Sequence, residues 1–145
     1  MGRLKRYQDW PTRLEKAIRS HDRRRFRYGW HDCCISPVNC LKAMTGVDII
    51  KEFGIAYTTE EEAKAFLTSK RGMVNMLKWF AKALNVTAYS NVNRVKRGDI
   101  VLVGLEGGNK ALGIIDLTGR RALVASSKGW KSYDFTAILM AWDIN

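Results

Sequence analysis

With 145 residues, 46% of them hydrophobic and five of them tryptophan, the chain is long enough to bury a core as one folded domain without metal or disulfide staples. A formal net charge of +11 favours polyanionic partners (nucleic acid, anionic cell-envelope polymers or an acidic protein neighbour) over and above the plain solubility that a basic face provides. No apolar run approaches the roughly 18–20 residues of a membrane span, and none follows the basic Met1-Gly2-Arg3-Leu4-Lys5-Arg6, so neither a membrane span nor a signal peptide is expected.

Trp10-Pro11 opens a predicted helix through Leu14, Ala17 and Ile18 towards His21, with proline in its first turn. Around it Arg3, Lys5, Arg6, Arg13, Lys16, Arg19, Arg23, Arg24, Arg25 and Arg27 face only Asp9, Glu15 and Asp22. After a break at Arg25 to Trp30, a second helix carries Cys33 and Cys34 through Ile35, Val38, Leu41 and Met44 to Thr45-Gly46. Ser36-Pro37 equally fits a fresh helix start, which would leave Cys33 in a turn or a distorted first turn. Thr59 is an N-cap followed by Glu60, Glu61 and Glu62, opening a helix through Phe66 and Leu67. Past Gly72, the helical spacing of Met73, Met76, Leu77 and Phe80 marks core positions. From Asn85 the texture turns to strands at Ile100 to Val103, Ala111 to Leu117, Ala122 to Ala125 and Ile138 to Trp142. Turns fall at Gly107-Gly108-Asn109, Thr118-Gly119 and Lys128-Gly129, and Trp130 and Trp142 read as core by default. This is an α+β layout in one domain, 1–145, with a helical part to about 85 and a strand-rich part from about 86.

The candidate site is Phe26-Arg27-Tyr28-Gly29-Trp30-His31-Asp32-Cys33. A cysteine nucleophile works as its thiolate, and a helix N-terminus both lowers a thiol pKa and offers backbone N–H groups to an oxyanion. Cys33 is therefore either a nucleophile or a buried small hydrophobe, with Tyr28 and Trp30 as cleft walls. Asp32 fits an N-cap better than an acid–base role. Cys34 and Cys40 read as core residues, and an odd number of clustered cysteines is not a disulfide framework. His31, Cys33, Cys34 and Cys40 are the ligand types of a Cys₃His zinc site. Adjacent cysteines do not readily aim both sulfurs at one ion, so no metal or other cofactor is expected.

The aromatic–x–aromatic–Gly…Asp-Cys segment resembles that of the NlpC-type papain-like cysteine peptidases, which cut peptide cross-links in bacterial cell walls. Gly98-Asp99-Ile100-Val101-Leu102-Val103 is similar to the family's entry into its first barrel strand, and Ala111-Leu112-Gly113-Ile114-Ile115 to its next strand. Trp10-Pro11, Gly29-Trp30-His31-Asp32-Cys33 and Thr45-Gly46-Val47-Asp48 resemble a group of small proteins encoded among phage and prophage tail genes. The resemblance implies helices packed on an antiparallel sheet or half-barrel, with Cys33 at a helix start facing the strand that holds Ala111.

Ala111 stands where the family carries its catalytic histidine, and no histidine follows His31. A thiol peptidase needs a base that takes the thiol proton and returns it to the leaving amine. His31 is only two residues from Cys33, and His21 reaches the site only if its helix packs beside it. The resemblance then implies a phage tail-tip or baseplate component of the virion, made in the host bacterial cytoplasm and catalytically impaired. Its partners would be other tail proteins, with peptidoglycan and DNA, the latter at the basic N-terminal segment, as further candidates. The enzyme alternative is a peptidoglycan-cleaving peptidase using Cys33, with Asp32 and His31 beside it and Ala111 in the substrate cleft; a basic DNA-contacting domain is the weaker one.

Overall fold

Five α-helices precede a six-stranded sheet in a computed structural model that describes residues 4–145. Arg3, the first of the basic residues named above, lies outside the described residues. Helix α1 spans Trp10–His21 with Pro11 in its first turn, and packs on α2, Ile35–Thr45. A single turn, α3 (Ile49–Glu52), is capped by the Asp48 side chain, which accepts from Lys51 N at 3.1 Å. Helix α4 (Glu60–Ser69) opens on a reciprocal capping pair: Thr59 Oγ1 accepts from Glu62 N, and Glu62 Oε1 accepts from Thr58 N, both at 3.1 Å. Helix α5 (Met73–Leu84) buries Met76, Leu77, Phe80 and Leu84.

The strands are β1 (Thr87–Ala88), β2 (Ile100–Gly104), β3 (Lys110–Ile115), β4 (Ala122–Ala125), β5 (Trp130–Tyr133) and β6 (Ile138–Asp143). They form one antiparallel sheet in the order β1-β6-β2-β3-β4-β5, so the last strand returns to lie between the first two. Strand alternation splits the interior into two cores. Ile100, Leu102, Leu112, Ile114 and Trp142 pack with the helices, while Val101, Val103, Ala111, Val124 and Ala141 form a second cluster. An apolar cavity of about 50 Å³ lies at the helix-side core, lined by Val38, Leu77, Phe80, Ile100, Leu112 and Trp142 among others.

Asp99, at the entry to β2, is fully buried and ties the chain ends together. Its Oδ1 accepts from Arg6 Nη2 and Ile144 N, each at 3.0 Å, and its Oδ2 from Lys96 N at 2.9 Å and the Tyr89 hydroxyl at 2.6 Å. Arg6 also stacks over Trp10, 4.3 Å from the ring centroid. The Gly98-Asp99 and Trp10-Pro11 motifs are thus structural. Three cations of the basic N-terminal segment are committed to carboxylates: Arg6 to Asp99, Arg13 to Asp9 and Arg19 to Glu15.

Of the two starts that the sequence left open for the second helix, the structure takes the later one: α2 begins at Ile35, because the Asp32 carboxylate takes the amides of Cys34 and Ile35 and leaves Cys33 in the preceding turn. Strand β3 ends at Ile115 because Asp116 turns the chain, its Oδ1 accepting from Thr118 N at 3.1 Å. Trp130, read as core by default, starts a strand that the sequence did not announce and packs half-buried against the helix-side core.

Candidate functional site

The site is organised by Asp32, which is 1% exposed. Its Oδ2 accepts from Gly29 N at 2.8 Å; its Oδ1 accepts from Cys34 N at 2.9 Å, Ile35 N at 2.7 Å and the Tyr57 hydroxyl at 3.2 Å. The carboxylate is thus an N-cap whose oxygens are taken up by backbone amides and a phenol. Gly29 makes the turn possible: its φ is +83°, and a Cβ there would lie 2.3 Å from the Tyr57 carbonyl oxygen.

Cys33 is half-buried and packs against the second core, the cluster that contains Ala111. It therefore sits just before a helix N-terminus and against β3. Its thiol is not activated there. Burial first, and then the Asp32 charge, push its pKa up to about 11, against the pull of the Cys33 and Leu112 backbone amides. The expected lowering by the helix start fails because Asp32 has already taken the free amides of that first turn. Burial raises the Cys34 thiol and brings that of Cys40 to about 12, as inert core cysteines.

The histidines form a separate cluster. His31 is fully buried, with Nε2 2.8 Å from the Gly129 carbonyl oxygen, which can only accept, so Nε2 carries the proton. With both rings neutral, His31 Nδ1 then accepts from His21 Nδ1–H at 2.8 Å and lies 2.9 Å from the Ser36 hydroxyl. Donors from Arg24 and Asn39 face His21 Nε2 at 3.4 Å each. Trp130 covers both rings, with centroids 5.7 Å from His21 and 5.9 Å from His31, and its Nε1 donates to Ile18 O at 2.9 Å. Gly129 is held by its amide on Arg24 O at 2.8 Å and has φ +65°; a Cβ there would lie 2.1 Å from Asp22 O. Burial, then the charge of Arg24, then His31 depress the His21 pKa to about 4.

Beside Cys33 opens a pocket of about 200 Å³ whose walls are Tyr28, Tyr57, Phe66, Leu67 and Met73, with Lys64 and Lys110 also on its lining. Tyr28 lines this pocket. Trp30 does not line this pocket: it is 41% exposed, with the Arg24 guanidinium 4.6 Å from its ring centroid. Ala111 does not line it either, being 1% exposed in the second core; its neighbour Lys110, on the other face of β3, does. Met73, expected in the core, is half-buried on the pocket wall. Among the described residues, no three His, Cys, Asp or Glu side chains are placed to hold a metal ion.

Residues 5–144 match a protein family described as a domain of unknown function (DUF6950). The chain belongs to the DUF6950 family. No curated protein and no solved structure matches it. In this DUF6950 member the sequence pointed to Cys33, Asp32 and Tyr28 but not to Tyr57, Phe66 or Lys110. Lys110 is the one exposed residue of β3, whose other positions are buried, and no sequence periodicity marks it. The imidazole pair also went unforeseen, because it depends on Gly129, 98 residues away from His31.

Proposed function

We propose that this chain is a bacteriophage tail-tip component in which an NlpC-like, papain-like scaffold serves as a binding module and its peptidase chemistry is lost. One observation carries the reading: all four imidazole nitrogens of the only two histidines have other partners, and none is committed to Cys33. A thiol whose pKa stands near 11 and that lacks a base has neither the nucleophile nor the proton donor that amide cleavage requires. The pocket beside Cys33, walled by Tyr28, Tyr57 and Phe66, is suited to receive an apolar group from another tail protein. The antiparallel sheet, the Asp-Cys turn before α2 and the position of Cys33 against β3 all agree with the scaffold that the motifs resemble.

The test is digestion of purified peptidoglycan by the wild-type chain and by Cys33→Ala. Neither should release soluble muropeptides, and Cys33→Ala should assemble into particles as the wild type does. Wild-type hydrolysis that Cys33→Ala abolishes would replace this reading with the peptidase.

A further inference from the structure

Two loops meet next to the imidazole pair and bring four exposed cations together. Residues 23–30 and 126–128 run together through an antiparallel bridge between Arg25 and Lys128 and the bond from Phe26 N to Ser127 O at 3.2 Å. Arg23, Arg25, Arg27 and Lys128 are exposed on them. Among the described residues none of the four forms an ion pair with a carboxylate.

The same loops expose two aromatic rings, Trp30 at 41% and Phe26 at 37%. Trp30 is held in place: the Arg24 guanidinium stacks on it and donates to its carbonyl at 3.1 Å, and Arg27 lies 5.8 Å from its centroid. Phe26 is braced edge-on by Tyr28 at 5.0 Å. The support beneath is rigid, since His31 bonds Gly129 of the second loop directly.

We propose that residues 23–30 and 126–128 form a binding site for single-stranded nucleic acid, with bases stacking on Trp30 and Phe26 and phosphates on Arg23, Arg25, Arg27 and Lys128. Unpaired cations alone would suit any polyanion. Ordered, exposed aromatics among them favour a ligand that presents flat π-faces together with phosphates, and an unpaired strand does so while a duplex keeps its bases stacked. An acidic protein would satisfy the cations but give the two rings no role. This site adjoins the Cys33 pocket through Tyr28 but binds through other side chains, and its test does not depend on what that pocket receives.

The experiment is fluorescence anisotropy of the full chain with a labelled oligothymidylate of about 12 nucleotides, within the ~4–16 nucleotide span of single-strand sites. Binding should weaken between about 50 and 200 mM salt with a log–log slope near −3, from four phosphate contacts at about −0.7 each. Trp30→Ala and Phe26→Ala should each lower affinity about 5- to 100-fold with the melting temperature unchanged, and Trp30→Phe should retain most of it. Arg23→Glu with Arg25→Glu should flatten the slope by roughly 1 to 2. Unlabelled duplex and inorganic polyphosphate should compete poorly. Absence of binding at the lowest salt would overturn the proposal. So would affinity indifferent to both aromatic substitutions, or polyphosphate or duplex competing as well as the unlabelled single strand.

Discussion

The turn before α2 sends two neighbouring residues into opposite chemical situations. Cys33 packs on the second core with the Leu112 amide near its sulfur and an open pocket beside it. His31 is sealed, with both nitrogens bonded and Trp130 over its ring. In a working thiol peptidase the imidazole and the thiol share a proton. Here the thiol has access without a base, and the imidazoles have their partners without access. Asp32 sits between them and serves the turn, not either cluster's chemistry. The difference teaches that such a turn can be required by the fold itself: the imidazole pair joins α1, α2 and the β4–β5 turn at one point.

Breaking the hub on which both clusters depend should have the largest effect. Asp32→Ala would strand the amides of Gly29, Cys34 and Ile35 and is expected to cost about 3–5 kcal/mol, read by urea denaturation. Next comes the imidazole side. His21 binds its proton more weakly in the fold, near pH 4, than in the unfolded chain, near pH 6.5. Its contribution is therefore full above about pH 6.5 and is lost as pH falls towards 4, a loss of about 2–3 kcal/mol. Denaturant melts across that window should show the slope, and His21→Gln should flatten it. On the thiol side, Ala111→His places a large polar ring where the side chain is 1% exposed, and should cost about 1–3 kcal/mol without restoring cleavage. The smallest effect is expected from Cys33→Ala, which removes one half-buried sulfur and should change stability by about 1 kcal/mol or less.

Much of the architecture was legible because it rests on local rules. Pro11 and Thr59 start helices, the spacing from Met76 to Leu84 buries one face of α5, and the apolar runs at Ile100 to Val103 and from Ala111 mark β2 and β3. What escaped was set by distant partners. Strand β5 is short and carries Lys131 and Ser132, so only its pairing with β4 makes it a strand. Asp32 was readable as a cap, yet its capture of the Cys34 and Ile35 amides, which moves the helix start past Cys33, needed geometry. The imidazole pair joins residues ten apart through a carbonyl in another loop, and no periodicity announces such a contact. Trp30 was read as a cleft wall from its place beside Cys33, but the turn at Gly29 directs it outward among arginines.

The central claim is that Cys33 lies beside a pocket but lacks a base. Its most direct test is the site-resolved rate of Cys33 alkylation by iodoacetamide as a function of pH, in the wild type and in His21→Gln. With the thiol pKa held near 11, the rate should rise about tenfold for each pH step of one through about pH 9, with no plateau and no change in the variant. A plateau beginning below about pH 7.5 and removed by His21→Gln would show a thiolate paired with imidazole, and would contradict the account.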